Sequence, residues 1–101
     1  MRERDVEQYL KKQIKDRGGK SWKWTSPGVR GVPDQILTLP NGLVVFVEVK
    51  IENGRLRPDQ QRVLNELDAL NQDTYVVYGK EGVDNLICDL EAWGMFDDGS
   101  R

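Results

Sequence analysis

Leu43-Val44-Val45-Phe46-Val47-Glu48-Val49-Lys50-Ile51 is the stretch on which the fold turns. Its β-branched and aromatic residues favour an extended strand. Side chains alternate across a strand, so Val45, Val47, Val49 and Ile51 share one face, while Val44, Phe46, Glu48 and Lys50 share the other. Both faces are mostly apolar, which predicts a central strand. Glu48 and Lys50 project from the same face, some ~7 Å apart along the strand. Charges at one end of a buried strand are costly unless they neutralise each other or bind something. For this strand taken alone, the ion pair is the favoured reading.

Upstream, Pro40-Asn41-Gly42 is a turn, and Gln35 to Leu39 is a second strand candidate. Ile36 to Leu39 and Leu43 to Val49 are expected to pair as an antiparallel hairpin. Asp34 follows Gly31-Val32-Pro33 and enters that second strand, so its carboxylate can converge with that of Glu48. Alone, Asp34 would be read as a turn or cap residue after proline. Paired with Glu48, it offers the oxygen ligands that Mg²⁺ or Mn²⁺ takes, completed by water and phosphate oxygens. Lys50 beside them is placed to stabilise an attacking hydroxide or charge developing on phosphorus.

The rest of the chain frames this pair. Val6, Tyr9, Leu10 and Ile14 recur at helical spacing between Arg2 and Arg17, with Gly18-Gly19 as the stop. Ser21 to Thr25 alternates around Trp22 and Trp24 as a short strand, and Ser26-Pro27-Gly28 opens a loop. After Asn53-Gly54, Pro58 fits the first turn of a helix expected to face the core with Leu64, Leu67 and Leu70. Thr74 to Tyr78 is a further strand. Val83, Leu86, Ile87 and Leu90 mark a last helix, with Trp93 next in register. The predicted order is αβββαβα: an α/β domain over residues 1–96 with a mixed β-sheet flanked by helices, then a polar tail over 97–101.

With 101 residues, 38% hydrophobic and 32% charged, the chain suits one domain with a modest core. It has no histidine and a single cysteine, Cys88, which excludes an internal disulfide, a Cys/His zinc site and a histidine triad. Catalysis would have to run on carboxylates, lysine and metal. The start Met-Arg-Glu-Arg-Asp lacks the apolar stretch of a signal peptide and no long apolar run follows, so the expected location is the cytoplasm, with no membrane contact. The net charge of −2 conceals an asymmetry: residues 1–31 carry nine basic side chains against four acidic ones, the rest six against thirteen. One face can therefore meet phosphates, although an ordinary solvated surface explains charge alone about as well.

Gly31-Val32-Pro33-Asp34, thirteen residues, then Glu48-Val49-Lys50 resembles the Pro-Asp…Glu-X-Lys signature of the PD-(D/E)XK (restriction-endonuclease-like) nuclease superfamily. The closer resemblance is to its VRR-NUC family, in the stand-alone form found in phages. It extends over Val6-Glu7, Gly18-Gly19, Lys23, Ser26-Pro27-Gly28, Val45 to Lys50 and Arg57-Pro58-Asp59-Gln60. The resemblance implies that Asp34 and Glu48 bind Mg²⁺ (or Mn²⁺), with the Val49 carbonyl as a further ligand, and that Lys50 orients or activates the attacking water. Glu7 matches the helix glutamate that extends the metal site. Glu3, one turn earlier, is its rival, disfavoured by its place near a frayed end. Gln60 matches a glutamine at the start of the helix after the Glu-X-Lys strand, and Gln61 should face elsewhere.

Lys23, Arg30, Arg55 and Arg57 are candidates for DNA phosphate contacts, each by itself more readily an ordinary surface charge. The implied activity is structure-selective DNA hydrolysis. Stand-alone members resemble homodimeric Holliday-junction resolvases, and a four-way junction cut by a homodimer is the expected substrate and assembly, with exposed aromatics at the interface. The alternatives are a flap or generic DNA nuclease, or a non-catalytic nucleic-acid-binding or dimerisation module.

Overall fold

The computed structural model describes residues 1–98. Its elements are α1 (Glu3–Asp16), β1 (Lys20–Lys23), β2 (Gln35–Thr38), β3 (Val44–Lys50), α2 (Pro58–Ala69), β4 (Asp73–Tyr78) and α3 (Gly79–Ala92), in the expected αβββαβα order. The four strands form one sheet in the order β1-β2-β3-β4. β1 pairs with β2, and β2 with β3, in antiparallel fashion, whereas β4 joins β3 in parallel after the α2 crossover. The valine-rich strand is thus internal, as its two apolar faces require.

The hairpin forms as expected. Gly42, with φ of 92°, donates its N–H to the Leu39 carbonyl (2.9 Å), and the Asn41 side chain accepts from Leu43 N–H (3.0 Å). Val45, Val47 and Val49 then bury on one face with Val6, Leu10 and Ile14 of α1 and Val83, Leu86, Ile87 and Leu90 of α3. Phe46, on the opposite face, packs against Trp24 with ring centroids 5.5 Å apart. Trp24 in turn lines an apolar groove with Val63, Leu67 and Leu70 of α2 and its C-terminal cap.

Three packing expectations are corrected. The buried positions of α2 are Gln60, Val63 and Leu64, with Leu67 half-buried. That stripe has i, i+3, i+4, i+7 spacing, and Leu70 falls beyond it: as the C-cap it is 69% exposed. Trp93 likewise caps α3 and stands in solvent. β1 ends at Lys23 rather than Thr25, although the Trp24 N–H still donates to the Asp34 carbonyl (2.9 Å). At the C-terminus, Met95 is buried and Phe96 packs on the core, while Asp97 and Asp98 are exposed. The rest of the expected polar tail, 99–101, lies outside the described residues. No helix among the described residues is long and apolar enough to cross a membrane.

Candidate active site

The register of the hairpin places the acidic pair. Gln35 stands opposite Val47, so the next step of the ladder sets Asp34 against Glu48. Two backbone N–H groups hold the Asp34 residue from both sides. The Val49 N–H donates to its Oδ2 (2.9 Å), and the Trp24 N–H donates to its carbonyl. The Val49 N–H thus holds the aspartate, and the Val49 carbonyl is the group expected as a further metal ligand.

The loop before Asp34 is seated by Gly31. Its φ is +91°, and a Cβ there would lie 2.5 Å from the backbone oxygen of Asp59 at the start of α2. Only glycine allows the loop to approach the helix so closely.

Glu48 is almost completely buried, and neither of its carboxylate oxygens meets a hydrogen-bond donor. Burial raises its pKa from 4.5 to about 9, helped by contact with the Asp34 carboxylate and opposed by the Lys50 charge. Two ionised carboxylates offer only acceptors, so a hydrogen bond between them requires a proton on one. No ion pair joins Glu48 to Lys50 among the described residues, although both are buried. Mutual neutralisation, the favoured reading of the strand alone, is not what the geometry shows.

The first helix brings more carboxylates to the same place. Ligand atoms of Glu3, Glu7 and Asp34 all lie within 4.8 Å of one another. Both glutamates arrive, the disfavoured Glu3 included. Burial raises the Glu3 pKa, and the nearby Asp34 charge adds to the effect. Glu7 is the more enclosed and accepts from Lys23 Nζ (2.7 Å) and Gln35 Nε2 (3.3 Å). Lys23 is thus engaged by a site carboxylate: burial lowers its pKa, but the hydrogen bond to Glu7 and the acidic charges around it leave it raised overall.

Gln35 is a positioning residue that reading the sequence missed. It is buried, accepts from the Ser21 hydroxyl (2.8 Å) and aims its amide at Glu7. A glutamine directly after Asp34, at an inward position of a short strand, was the available signal.

These oxygens suit a hard divalent cation: Glu3, Glu7 and Asp34 form one cluster, and Glu48, outside that cluster but against Asp34, is a buried carboxylate with no hydrogen-bond donor and only the Lys50 charge to offset its burial. Beside them opens a cleft of about 380 Å³ whose lining includes Glu3, Arg30, Asp34, Lys50, Arg57 and Gln60. Gln60 is buried there and also caps α2, its Oε1 accepting from Arg57 N–H (2.9 Å). Gln61 points away and bonds Asn65. Arg57 pairs with Asp59 (3.1 Å) at the cleft edge. Arg55 is exposed in the loop before α2 and does not line the cleft.

Comparison with known proteins agrees with this fold. The model of the VRR-NUC domain family matches residues 5–81. "Putative nuclease p44" of Acyrthosiphon pisum secondary endosymbiont phage 1 is 39% identical over 77 residues, covering 76% of this chain and 83% of the phage protein. A solved VRR-NUC domain structure superposes with a TM-score of 0.78 at 32% identity, over 84% of this chain and 92% of that one.

Proposed function

The chain belongs to the VRR-NUC domain family, and from that premise we propose that it is a metal-dependent DNA endonuclease with Asp34, Glu48 and Lys50 at its centre. The observation that carries the reading is the buried Glu48 carboxylate, facing Asp34 with no donor of its own. Asp34 and Glu48 would hold Mg²⁺ or Mn²⁺, with Glu7 or Glu3 completing the set. When bound, such an ion polarises the scissile phosphate and acidifies water. Attack by the water oxygen on phosphorus forms one P–O bond as the bond to the leaving sugar oxygen breaks.

Each remaining residue has a task in this scheme. Lys50, buried at the end of β3, orients the water and offsets the charge gathering on the phosphate oxygens. Gln60 fixes the start of α2 against the cleft, and Arg30 and Arg57 at its rim meet neighbouring phosphates. Gln35 and Lys23 hold Glu7 in place. Lys50→Ala should accordingly lower turnover by about 10²-fold while leaving the calorimetric metal affinity nearly intact. Lost metal affinity with normal turnover at saturating metal would reverse that assignment.

The preferred substrate in this reading is a four-way junction, cut by a homodimer. Trp22, Trp93 and Leu70 are exposed, and the groove lined by Trp24, Val29, Val63 and Leu67 adjoins the cleft through Val29 and Val32. Apolar surface beside the site supports pairing of two copies, which would present two sites to a two-fold symmetric junction. The test is cleavage of labelled four-way junction, 5′ flap, single-stranded and linear duplex DNA, with light scattering in parallel. A mass near twice 11.6 kDa and symmetric paired cuts are expected, and mixing in Asp34→Asn subunits should convert paired cuts to single nicks. A monomer that cuts junctions no better than linear duplex would leave a generic nuclease. No cleavage of any substrate would favour a binding module.

A further inference from the structure

Away from the cleft, the outer side of α1 changes sign along its length. Glu3 and Glu7 turn to the carboxylate cluster, but Lys11, Lys12 and Lys15 follow, and together with Lys20 of β1 they line a groove of about 650 Å³. Lys12 is engaged by Asp16 at 3.0 Å, whereas Lys11 and Lys15 are exposed with no ion-pair partner among the described residues. Lys20 places its Nζ 3.8 Å from the ring centroid of Trp22, which is 47% exposed and anchored through its indole N–H to Thr38.

Two ordinary explanations account for only part of this. A lysine in the last turn complements the helix dipole, which covers Lys15 but not Lys11, since the effect fades within one turn. A merely solvated face usually mixes signs, as further round the chain, yet here three lysines of one helix and one of the adjoining strand open on a single groove with one acid among them.

The spacing suits a polyanion. Glu7, Lys11 and Lys15 follow at four-residue intervals, roughly 6 Å per step along the axis, close to two base-pair steps of ~3.4 Å along a duplex. Lys15 then lies about 12 Å along α1 from Glu7, a distance that carries the track beyond the scissile phosphate.

We infer that Lys11 and Lys15, on the groove they share with Lys12 and Lys20, form a second DNA-contact surface that grips the backbone of a duplex arm outside the cleft. The inference rests on the nuclease reading and adds to it a means of sensing more than the cut strand. A nuclease that touched only the phosphates at its cleft would have little with which to tell a branched substrate from a linear one. A second grip on an adjoining arm supplies that difference through backbone contacts alone.

The experiment is fluorescence anisotropy of a labelled four-way junction with the intact protein in EDTA, across a salt series, comparing wild type, Lys11→Gln/Lys15→Gln and the charge-matched Arg62→Gln/Lys80→Gln. Removal of two phosphate contacts should weaken junction binding roughly tenfold and reduce the slope of log K against log salt by about 2. The charge-matched variant should bind as wild type does. Equal affinity and slope for the Lys11/Lys15 variant, with circular dichroism showing it folded, would overturn the inference while leaving wild-type cleavage as evidence for the nuclease. An equal loss in both double variants would overturn it too, since net charge alone would then explain the binding. Failure of the wild type to bind or cut DNA at all would remove the nuclease reading and this surface with it.

Discussion

Glu48→Gln should melt above the wild-type protein at pH 8 without metal, by about 5–15 °C, and yet lose DNA cleavage. The wild-type carboxylate is buried without a donor, and burial and Asp34 raise its pKa from 4.5 to about 9 in the folded state. A group raised in this way contributes its full stability below its unfolded value and loses it as pH climbs toward the folded one. The metal-free protein is therefore penalised increasingly between pH 5 and 9. A glutamine amide escapes that penalty and can donate to the Asp34 carboxylate, a gain of about 1–3 kcal/mol at pH 8. At pH 5, where Glu48 carries its proton, the two proteins should melt much closer together. Saturating Mn²⁺ at about 100 times Kd should stabilise wild type by roughly 2.7 kcal/mol and the variant far less. Calorimetry showing the variant less stable at pH 8, or a gain unchanged by pH, would contradict this account of Glu48.

Gly31→Ala is expected to damage stability and activity together. Its Cβ would meet the Asp59 carbonyl at 2.5 Å, and φ of +91° is a conformation that alanine rarely adopts. Strain of about 1–3 kcal/mol from the backbone adds to a similar cost of displacing α2. The melting temperature should fall by about 10 °C or more. The loop bearing Asp34 and the helix bearing Gln60 would part, and a shift near 1 Å at the site can cost ~10²-fold in rate. Gly28→Ala is the control, because nothing stands within 4 Å of a Cβ there and no positive φ is required. A Gly31→Ala protein that melts and cuts like wild type would show that the close approach is unimportant.

The sequence showed the scaffold clearly where periodicity was strong. The alternation from Leu43 to Ile51 and the Pro40-Asn41-Gly42 turn yielded the hairpin, and the hairpin alone brought Asp34 to Glu48. Short or terminal elements were less legible: Leu70 looked like one more apolar helix position, but the helix ends at Ala69 and leaves it exposed. At the site, charge type was readable and partnership was not. Glu48 and Lys50 look like an ion pair by strand spacing alone; the hairpin already set Glu48 against Asp34, but that no ion pair joins Glu48 to Lys50 among the described residues shows only in three dimensions. Lys23 read as a surface charge with phosphate contact as the alternative, and β1 delivers it to Glu7. Glu3 was set aside because helix ends fray, whereas the close approach of α1 to the strand ends brings it within reach of Asp34. Gln35 escaped notice because its one signal, a glutamine at an inward strand position directly after Asp34, does not by itself tell a buried amide that steers a glutamate from an ordinary strand residue.

The most direct measurement is the cleavage rate of a labelled four-way junction by wild type and by Glu48→Gln, each with saturating Mg²⁺ and with EDTA. Cutting by wild type in Mg²⁺ alone, with the variant slower by at least ~10²–10³-fold, is the predicted result. Cutting by wild type in EDTA, or by Glu48→Gln in Mg²⁺ at the wild-type rate, would contradict a metal-dependent centre built on this carboxylate.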